Sequence, residues 1–391
     1  MNLAPNKGIP RHIIMLMALM AGLTVANLYY NQPLLEMIRS DLHTTSSLAN
    51  LIAVITQVGY AMGLLFIVPT GDLFSRRKII VVCMVIAAIM TVTIGLADNI
   101  YIIWGASLLM GACSIVPQLF IPIAGQFSKP ENKARNMGYV LSGLLIGILA
   151  ARVVSGMIGE WFGWRMMYYI AGILMITCLA LTLWLMPQMQ QNFSGTYAGL
   201  MKSVVRIFAD HPRIRLNSIR AAFGFGSMLA FWACLAFHLA DEPFRSGSDA
   251  VGYLGICGVA GALVASGIGK YIPRYGVRRF SIVGASVQIA AWLTAWFLGN
   301  TYVGLVLTII LIDIGLQCLQ LSNQSACIQA VPEGSNRANT IFMTTYFIGG
   351  SLGTFLAGQG WSVAGWQGVC LVGITFSLVS LGISVVLDKA A

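Results

Sequence analysis

Charged side chains are scarce in this sequence. Asp, Glu, Lys and Arg together make up 9% of its 391 residues, whereas hydrophobic residues make up 58%. A soluble globular protein carries about 25% charged residues. A chain with so few charges cannot cover a folded surface in water, so the composition excludes a soluble protein and predicts an integral membrane protein.

Motifs for nucleotide or metal chemistry are also missing. The sequence contains no GxxxxGK[ST] phosphate loop, and none of its eight cysteines lies in a CxxC pair. All eight fall inside apolar runs, where cysteine packs as a small hydrophobic residue. We therefore expect no enzymatic activity, no metal site and no cofactor.

Long apolar runs are abundant, and each is about as long as a helix needs to be to cross a bilayer. Strands of a membrane barrel would be about 10 residues long and would alternate in polarity, which these runs do not. The predicted fold class is therefore an all-α integral membrane protein with twelve transmembrane helices. The predicted spans 1–12 are 12–35, 46–69, 79–97, 100–124, 136–159, 165–187, 214–239, 249–270, 279–298, 302–326, 339–361 and 365–387.

Basic residues are concentrated in alternate loops between these spans. The net charge is +10, yet one set of loops holds only Arg39, Arg165 and Arg245. Lys and Arg accumulate in cytoplasmic loops of membrane proteins. The pattern predicts that both termini are cytoplasmic, and it explains the basic balance without a nucleic-acid partner. The lipid bilayer is the expected surrounding.

An internal repeat relates the two halves of the chain. A shift of 202 residues places "PENKAR" (130–135) on "PEGSNR" (332–337) and Gln118 of span 4 on Gln320 of span 10. Such self-similarity indicates a duplicated structural unit. We predict two pseudo-symmetric six-helix halves, 1–190 and 213–391, joined by a cytoplasmic linker at 191–212. Halves related in this way are typical of transporters that rock about a central site.

Two loop motifs carry a family resemblance. "VPTGDLFSRRK" (68–78) follows span 2 and "GKYIPRYGVRR" (269–279) follows span 8, and both are degenerate copies of the Gly-xxx-Asp-Arg-x-Gly-basic motif of the major facilitator superfamily. The sequence most resembles bacterial drug–proton antiporters and sugar-efflux permeases in that superfamily. The resemblance implies a major facilitator fold in a bacterial inner membrane. It also implies a gating role for loop residues that hold the halves together: Asp72, Arg76, Arg77, Arg274 and Arg278.

The resemblance further implies that spans 1, 4, 7 and 10 line a central cavity. Unpaired amides that face lipid are costly, so polar groups inside spans must face protein, water or substrate. Hydrogen bonding between helices and an interfacial aromatic belt, for Tyr29 in particular, remain alternatives. The candidate substrate-cavity residues are Asn27, Tyr30, Asn31, Gln57, Tyr60, Gln118, Arg152, Gln317 and Gln320.

Two ionisable residues lie deep inside spans. Arg152 belongs to span 5 and Asp313 to span 10, and charges at such depth are expensive and mark functional sites. They could pair with each other, contact substrate or titrate. Asp313 is the candidate proton carrier.

The resulting functional hypothesis is a monomeric, proton-coupled exporter of small amphipathic or drug-like molecules. Two alternatives remain open at this point. One is an uptake symporter or facilitator for a small metabolite, and the other is a membrane receptor that kept the transporter fold without transport.

Overall fold

The computed structural model describes residues 2–189, 196–259, 271–331 and 334–386, and nearly all of them are helical. The strands in this part of the chain are two residues long. Asn2–Leu3 and Gln188–Met189 pair in parallel and tie the N-terminus to the end of span 6. The prediction of an all-α fold is confirmed.

The first half contains spans 1–6, with interruptions in spans 1, 2 and 4. Span 2 ends in a π-helical turn and a 3₁₀ turn, Gly63–Ile67 and Val68–Asp72. A short 3₁₀ turn, Pro130–Asn132, precedes span 5. The α-helices are Arg11–Ala26 and Asn31–Asp41 (span 1), Ser46–Met62 (span 2), Arg76–Leu96 (span 3), Ile100–Cys113 and Val116–Phe127 (span 4), Lys133–Phe162 (span 5) and Trp164–Leu185 (span 6).

The second half follows an amphipathic helix, Tyr197–Asp210, in the predicted linker. Ten segments of the described chain are long and apolar enough to cross a membrane, and the last of them, Asn336–Val385, contains two spans. Together with the start of span 8, whose remaining residues 260–270 lie outside the described chain, these helices agree with the predicted twelve-helix fold. The α-helices are Pro212–Ala240 (span 7), Ser248–Gly255 (start of span 8), Ile272–Tyr275, Val277–Leu298 (span 9), Tyr302–Ala330 (span 10) and Ser335–Val385 (spans 11 and 12); Ile256–Gly258 is a 3₁₀ turn.

The turns after spans 5 and 11 are equivalent in the repeat. Gly163 has φ 83° and Gly365 has φ 56°, a left-handed region that glycine adopts without steric cost. The two glycines are 202 residues apart. Non-helical angles at Ala364 and Gly365 therefore separate span 11 from span 12 in the same way as Gly163 separates span 5 from span 6.

Proline explains one helix break and does not explain the other. Span 4 is interrupted at Ser114 and Ile115, and the helix that follows has Pro117 as its second residue, which lacks the N–H that a continuous helix needs. Pro33 does not break span 1. The break comes earlier, at 27–30, and Pro33 lies in the first turn of Asn31–Asp41, where its missing N–H costs little.

Helix packing follows the repeat. Spans 1 and 5, 2 and 4, and 3 and 6 pack against each other in the first half, while span 7 packs against spans 11 and 12 and span 9 against span 10 in the second. The halves meet through span 2 with span 11 and span 5 with span 8. We call the side that holds 130–133 and the linker helix the terminal face, and the other side the opposite face.

A candidate substrate cavity between the two halves

A cavity of 490 Å³ lies between the halves. Sites for small ligands commonly have volumes of about 300–1,000 Å³. Its wall is mostly apolar and is formed by spans 1, 2, 4, 5, 7, 8, 10 and 11. Six of the residues proposed from the sequence lie along it: Tyr60, Gln118, Arg152, Asp313, Gln317 and Gln320.

Arg152 is held by contacts from both halves. The side chain is 3% exposed, and its Nε donates a hydrogen bond to Gln32 Oε1 at 2.8 Å. The guanidinium carbon lies 5.0 Å from the Tyr29 ring centroid and 4.1 Å from that of Trp232. Its Nη2 is buried and has no hydrogen-bond partner among the described residues. The cation is thus stabilised by two aromatic faces and retains an unused donor.

Asp313 lies in the wall that the second half contributes. Within the described chain its carboxylate has no hydrogen-bond partner and no cation within 4.0 Å, so Arg152 and Asp313 do not form an ion pair in this structure. A Cβ at Gly258 would come within 3.0 Å of Asp313 Oδ2 and also within 3.0 Å of Leu149 in span 5. The carboxylate therefore lies where span 8 meets the other half.

Aromatic side chains and amides form the middle of the wall. Tyr60 and Phe347 join the halves with ring centroids 4.4 Å apart, and Phe225 stacks on Tyr346 at 3.9 Å. The repeat-related glutamines each pair with a tyrosine. Gln118 Nε2 donates to the Tyr60 hydroxyl at 3.2 Å, and the Tyr346 hydroxyl donates to Gln320 Oε1 at 2.9 Å.

The opposite face is closed by contacts between the halves. Asn50 Nδ2 donates to the Thr354 carbonyl at 2.8 Å, and the Ser248 hydroxyl donates to the Gly156 carbonyl at 2.8 Å. The Ser248 backbone N–H donates to Glu160 at the end of span 5, at 3.1 Å. These bonds join span 2 to span 11 and span 5 to span 8.

Towards the terminal face, the cavity reaches the start of span 11. Asn336 and Asn339 line it there, and a smaller cleft of 50 Å³ continues between Pro69 and Arg337. The lining thus extends from Arg152 and Asp313 to the terminal ends of the spans, while the opposite face is sealed. The arrangement is that of a transporter cavity approached from the terminal face.

Comparison with known proteins agrees with this architecture. The sequence matches the Major Facilitator Superfamily over residues 14–354. The chain belongs to the major facilitator superfamily. It is a multi-pass membrane transporter, not an enzyme.

Relatives of this superfamily member cover almost the whole chain. It is 34% identical over 379 residues to the uncharacterized transporter YgaY of Escherichia coli O157:H7, covering 96% of each protein. It is 30% identical over 372 residues to the probable transporter SCO4007 of Streptomyces coelicolor, covering 94% of this chain and 86% of that protein. In structure it is similar to a mutant form of the nucleoside transporter NupG, with a TM-score of 0.77, 18% identity and coverage of 95% of this chain and 98% of that one. This last similarity supports the fold.

Three candidates on span 1 require correction. Asn27, Tyr30 and Asn31 are buried but lie outside the described cavity lining. Asn27 Nδ2 contacts Ser114 and Met175 at 3.4 Å each, and Asn31 Nδ2 donates to Thr56 at 3.3 Å. All these partners belong to the first half. The amides are used for hydrogen bonds between neighbouring helices, which is the alternative that the sequence left open.

Gln57 also lies outside the described lining of the cavity. Its Oε1 lies 3.5 Å from the Thr354 hydroxyl, at the contact of span 2 with span 11. It therefore belongs to the seal at the opposite face. Tyr60, one turn further along the same helix, lines the cavity instead.

The residues that the sequence interpretation missed surround Arg152. The interfacial belt, which the sequence left open as an alternative for Tyr29, does not describe it, because Tyr29 is 5% exposed and lines the cavity. Tyr29 and Gln32, on either side of the end of the break at 27–30, both contact Arg152, and Val25 lines the cavity with Tyr29. Trp232 lies 202 residues after Tyr30, so the repeat aligned it with the polar stretch of span 1 and could have indicated it.

The loop residues proposed for gating make contacts within their own halves. Arg77 Nη2 donates to the Leu183 carbonyl at 2.6 Å, and Arg278 Nε to the Ser384 carbonyl at 3.1 Å, so they bind the C-terminal ends of spans 6 and 12. Arg76 Nη1 donates to Gln126 at 2.9 Å.

The other two gating candidates add no described contact between the halves. Arg274 lies 5.5 Å from the Tyr275 ring, and the side chain of Asp72 lies outside the described residues. The contacts described here for Arg77, Arg274 and Arg278 stabilise helix ends and a loop. They do not support the predicted bridge between halves.

Proposed function

We propose that this chain is a proton-coupled secondary transporter of small amphipathic molecules that works by alternating access. The observation that carries the proposal is the cavity itself. It is mostly apolar, lies between two repeat-related halves and contains a cation and a carboxylate that are not paired with each other. Buried ionisable groups in membrane proteins mark substrate or proton pathways.

Alternating access requires the seal at the opposite face to open. The hydrogen bonds described at this seal, from Ser248 to Gly156 and Glu160 and from Asn50 to Thr354, are few, so separating them costs little compared with unfolding a half. Their placement on span pairs 5–8 and 2–11 lets the halves rock as two bodies about the cavity.

Asp313 is our proposed proton carrier. Its carboxylate lies in the wall without a partner in the described chain, where it can gain or lose a proton without breaking a structural ion pair. Arg152 lines the same cavity. We propose that the cavity binds substrate through Arg152, Gln317, Gln320, Gln118 and Tyr60.

The resemblance to drug–proton antiporters and efflux permeases supports export as the direction. A second candidate, proton-driven uptake, is favoured by one specific observation. The only cation among the described lining residues is Arg152, whose Nη2 has no described acceptor, and a cationic site suits an anion that enters together with a proton.

Flux in proteoliposomes tests this proposal. Purified protein is reconstituted, a pH gradient is imposed in either direction, and a panel of anionic, neutral and cationic amphipathic compounds is followed. Acceleration of any compound by the gradient, and loss of that acceleration in Asp313→Asn, would support proton coupling. Flux that never responds to the gradient would contradict it.

Orientation is part of the proposal. We place the terminal face in the cytoplasm of a bacterial inner membrane, treat the protein as a monomer, and divide it into the halves 1–190 and 213–391 with the linker 191–212. A cysteine introduced at position 202 should be protected from an external impermeant reagent, and one at position 245 should react. The reverse labelling pattern would overturn this orientation.

A further inference from the structure

Two adjacent donors beside the cavity have no acceptor in the described chain. Arg152 Nη2 and Trp232 Nε1 are both buried without a hydrogen-bond partner there, and the guanidinium carbon lies 4.1 Å from the Trp232 ring centroid. Buried donors are paired in the great majority of cases because an unmade bond is costly. Arg152 lines the cavity and Trp232 packs against its guanidinium, so the two unmet donors indicate that an acceptor arrives with the ligand.

The charge around this point selects the ligand's charge. Of the described residues that line the cavity, Arg152 is the one cation and Asp313 the one carboxylate. When Asp313 carries a proton, the site has a single positive charge. A group with one negative charge and two acceptor oxygens, such as a carboxylate or a sulfonate, matches the planar guanidinium.

The rest of the wall selects the body of the ligand. Phe225 and Tyr346 stack at 3.9 Å, and Phe347 lies 5.2 Å from Phe225. The first half supplies aliphatic side chains across the cavity, including Leu144 and Leu145. An aromatic ring binds such a wall through burial and ring contacts, whereas a small inorganic anion would leave it unfilled.

We infer that the cavity binds a small aromatic monoanion, whose carboxylate or sulfonate accepts hydrogen bonds from Arg152 and Trp232 while its ring packs against Phe225 and Tyr346. This inference rests on the proposed transport function and specifies its substrate class. Gln32 acts as a positioning residue, because its hydrogen bond to Arg152 Nε orients the guanidinium.

The inference has a consequence for proton coupling. An anion at Arg152 and an ionised Asp313 would repel each other across the low-dielectric cavity. The site therefore holds the anion together with a protonated Asp313, and the two cross in the same direction. This favours the uptake candidate over exchange.

Binding to the purified protein tests the substrate class apart from transport. Three probes share one phenyl body and differ in charge: 3-phenylpropanoate, 3-phenylpropanamide and 3-phenylpropylamine. Measured by equilibrium dialysis, the anion should bind at least about tenfold more tightly than the other two, since a hydrogen bond to a charged group is worth more than a neutral one. Equal or stronger binding of the amide or the amine overturns the inference.

Variants connect the preference to the two donors. Arg152→Gln should weaken binding of the anion by about ten- to hundredfold and leave the amide unchanged. Arg152→Lys should restore binding only in part, because a lysine cannot make the planar contact. Arg245→Gln, an exposed loop arginine, is the matched control and should bind the anion normally.

A milder variant covers the case in which Arg152 variants fail to fold. Trp232→Phe keeps an aromatic face over the guanidinium and removes only the Nε1 donor. It should weaken anion binding by several-fold while amide binding stays the same. If anion binding is unaffected in folded Trp232→Phe and Arg152→Gln, the two donors are structural and the inference is wrong.

Flux separates this inference from the proposed function. The probe is 3-phenylpropane-1-sulfonate, which stays ionised and so does not follow a pH gradient by crossing the bilayer as a neutral acid. Proton-driven flux of this anion supports both proposals. Proton-driven flux of other compounds without it refutes the substrate class and leaves transport standing, and the absence of any proton-driven flux refutes the proposed function.

Discussion

The two halves of the molecule agree in how they are built and differ in what they present to the cavity. Arg77 and Arg278 bind the ends of spans 6 and 12 at equivalent positions, and Gly163 and Gly365 make equivalent turns. The repeat is thus retained where it determines packing.

The charged and aromatic side chains of the cavity wall are not repeated between the halves. Position 152 is Arg, but its equivalent in the second half is Thr354, and the equivalent of Asp313 in the first half is Gly111. The aromatic residues Tyr346 and Phe347 of the second half correspond to Leu144 and Leu145 in the first. Equivalent positions therefore carry mechanical roles, whereas positions that differ carry the proposed substrate and proton chemistry.

The largest expected effect follows from removing the carboxylate of Asp313. Asp313→Asn keeps the size and polarity of the side chain but cannot exchange a proton near neutral pH. We expect accumulation against a gradient to be abolished while downhill exchange continues, as measured in proteoliposomes. Asp241→Asn, on an exposed loop, is the control and should accumulate substrate normally. Uphill transport by Asp313→Asn would show that the proton carrier lies elsewhere.

An intermediate effect is expected at the repeat-related glycines of the two interfaces. At Gly156 an added Cβ would lie 2.5 Å from the Ser248 carbonyl oxygen and 3.1 Å from Gly252 Cα, which are backbone atoms that cannot move aside. At Gly358 it would meet the Asn50 amide, which is the end of a side chain. Gly156→Ala should therefore disfavour the closed opposite face by about 1–3 kcal/mol, and Gly358→Ala by less.

Labelling of an introduced cysteine measures how far Gly156→Ala shifts the protein away from the closed opposite face. A cysteine replacing Leu149, in a background without the native cysteines, should react faster with an impermeant maleimide applied at the opposite face when Gly156 is Ala. Gly138→Ala is the matched control on the same helix, because an added Cβ there meets nothing within 4 Å. Equal labelling rates in both variants would mean that this interface is not the gate.

The smallest effect is expected at the equivalent arginines. Arg77→Ala and Arg278→Ala each remove a cation that binds the carbonyls at a helix C-terminus, a contribution of about 0.3–1 kcal/mol. Both variants should lower the unfolding free energy by similar amounts in a denaturant titration and still transport. Lys78→Ala, exposed beside Arg77, controls for lost charge. If either arginine variant has normal stability but greatly slowed transport, the gating role proposed from the loop motif would be restored.

Much of the fold could be predicted from the sequence because span length and hydropathy are local properties. The repeat then followed from residue identities such as Gln118 and Gln320. Because a charge inside a membrane span is costly, Arg152 and Asp313 could also be identified from the sequence, and both line the cavity.

The orientation of span 1 could not be predicted in this way. In its most apolar segment, 72% of the residues are buried. Asn27 and Tyr29 are both enclosed by protein, although they face different neighbours. Periodicity separates a buried face from a lipid face, but it cannot separate two buried faces. The Nδ2 groups of Asn27 and Asn31 find hydrogen-bond partners inside the first half, whereas Tyr29 lines the cavity.

The relation between accumulation and the pH gradient tests the central claim most directly. Proteoliposomes with the membrane potential clamped are brought to steady state with 3-phenylpropane-1-sulfonate at several imposed pH differences. One proton moving with one anion predicts that the accumulation ratio rises about tenfold per pH unit, and that this dependence disappears in Asp313→Asn. A ratio that stays at one for the wild-type protein at every pH difference would contradict the account.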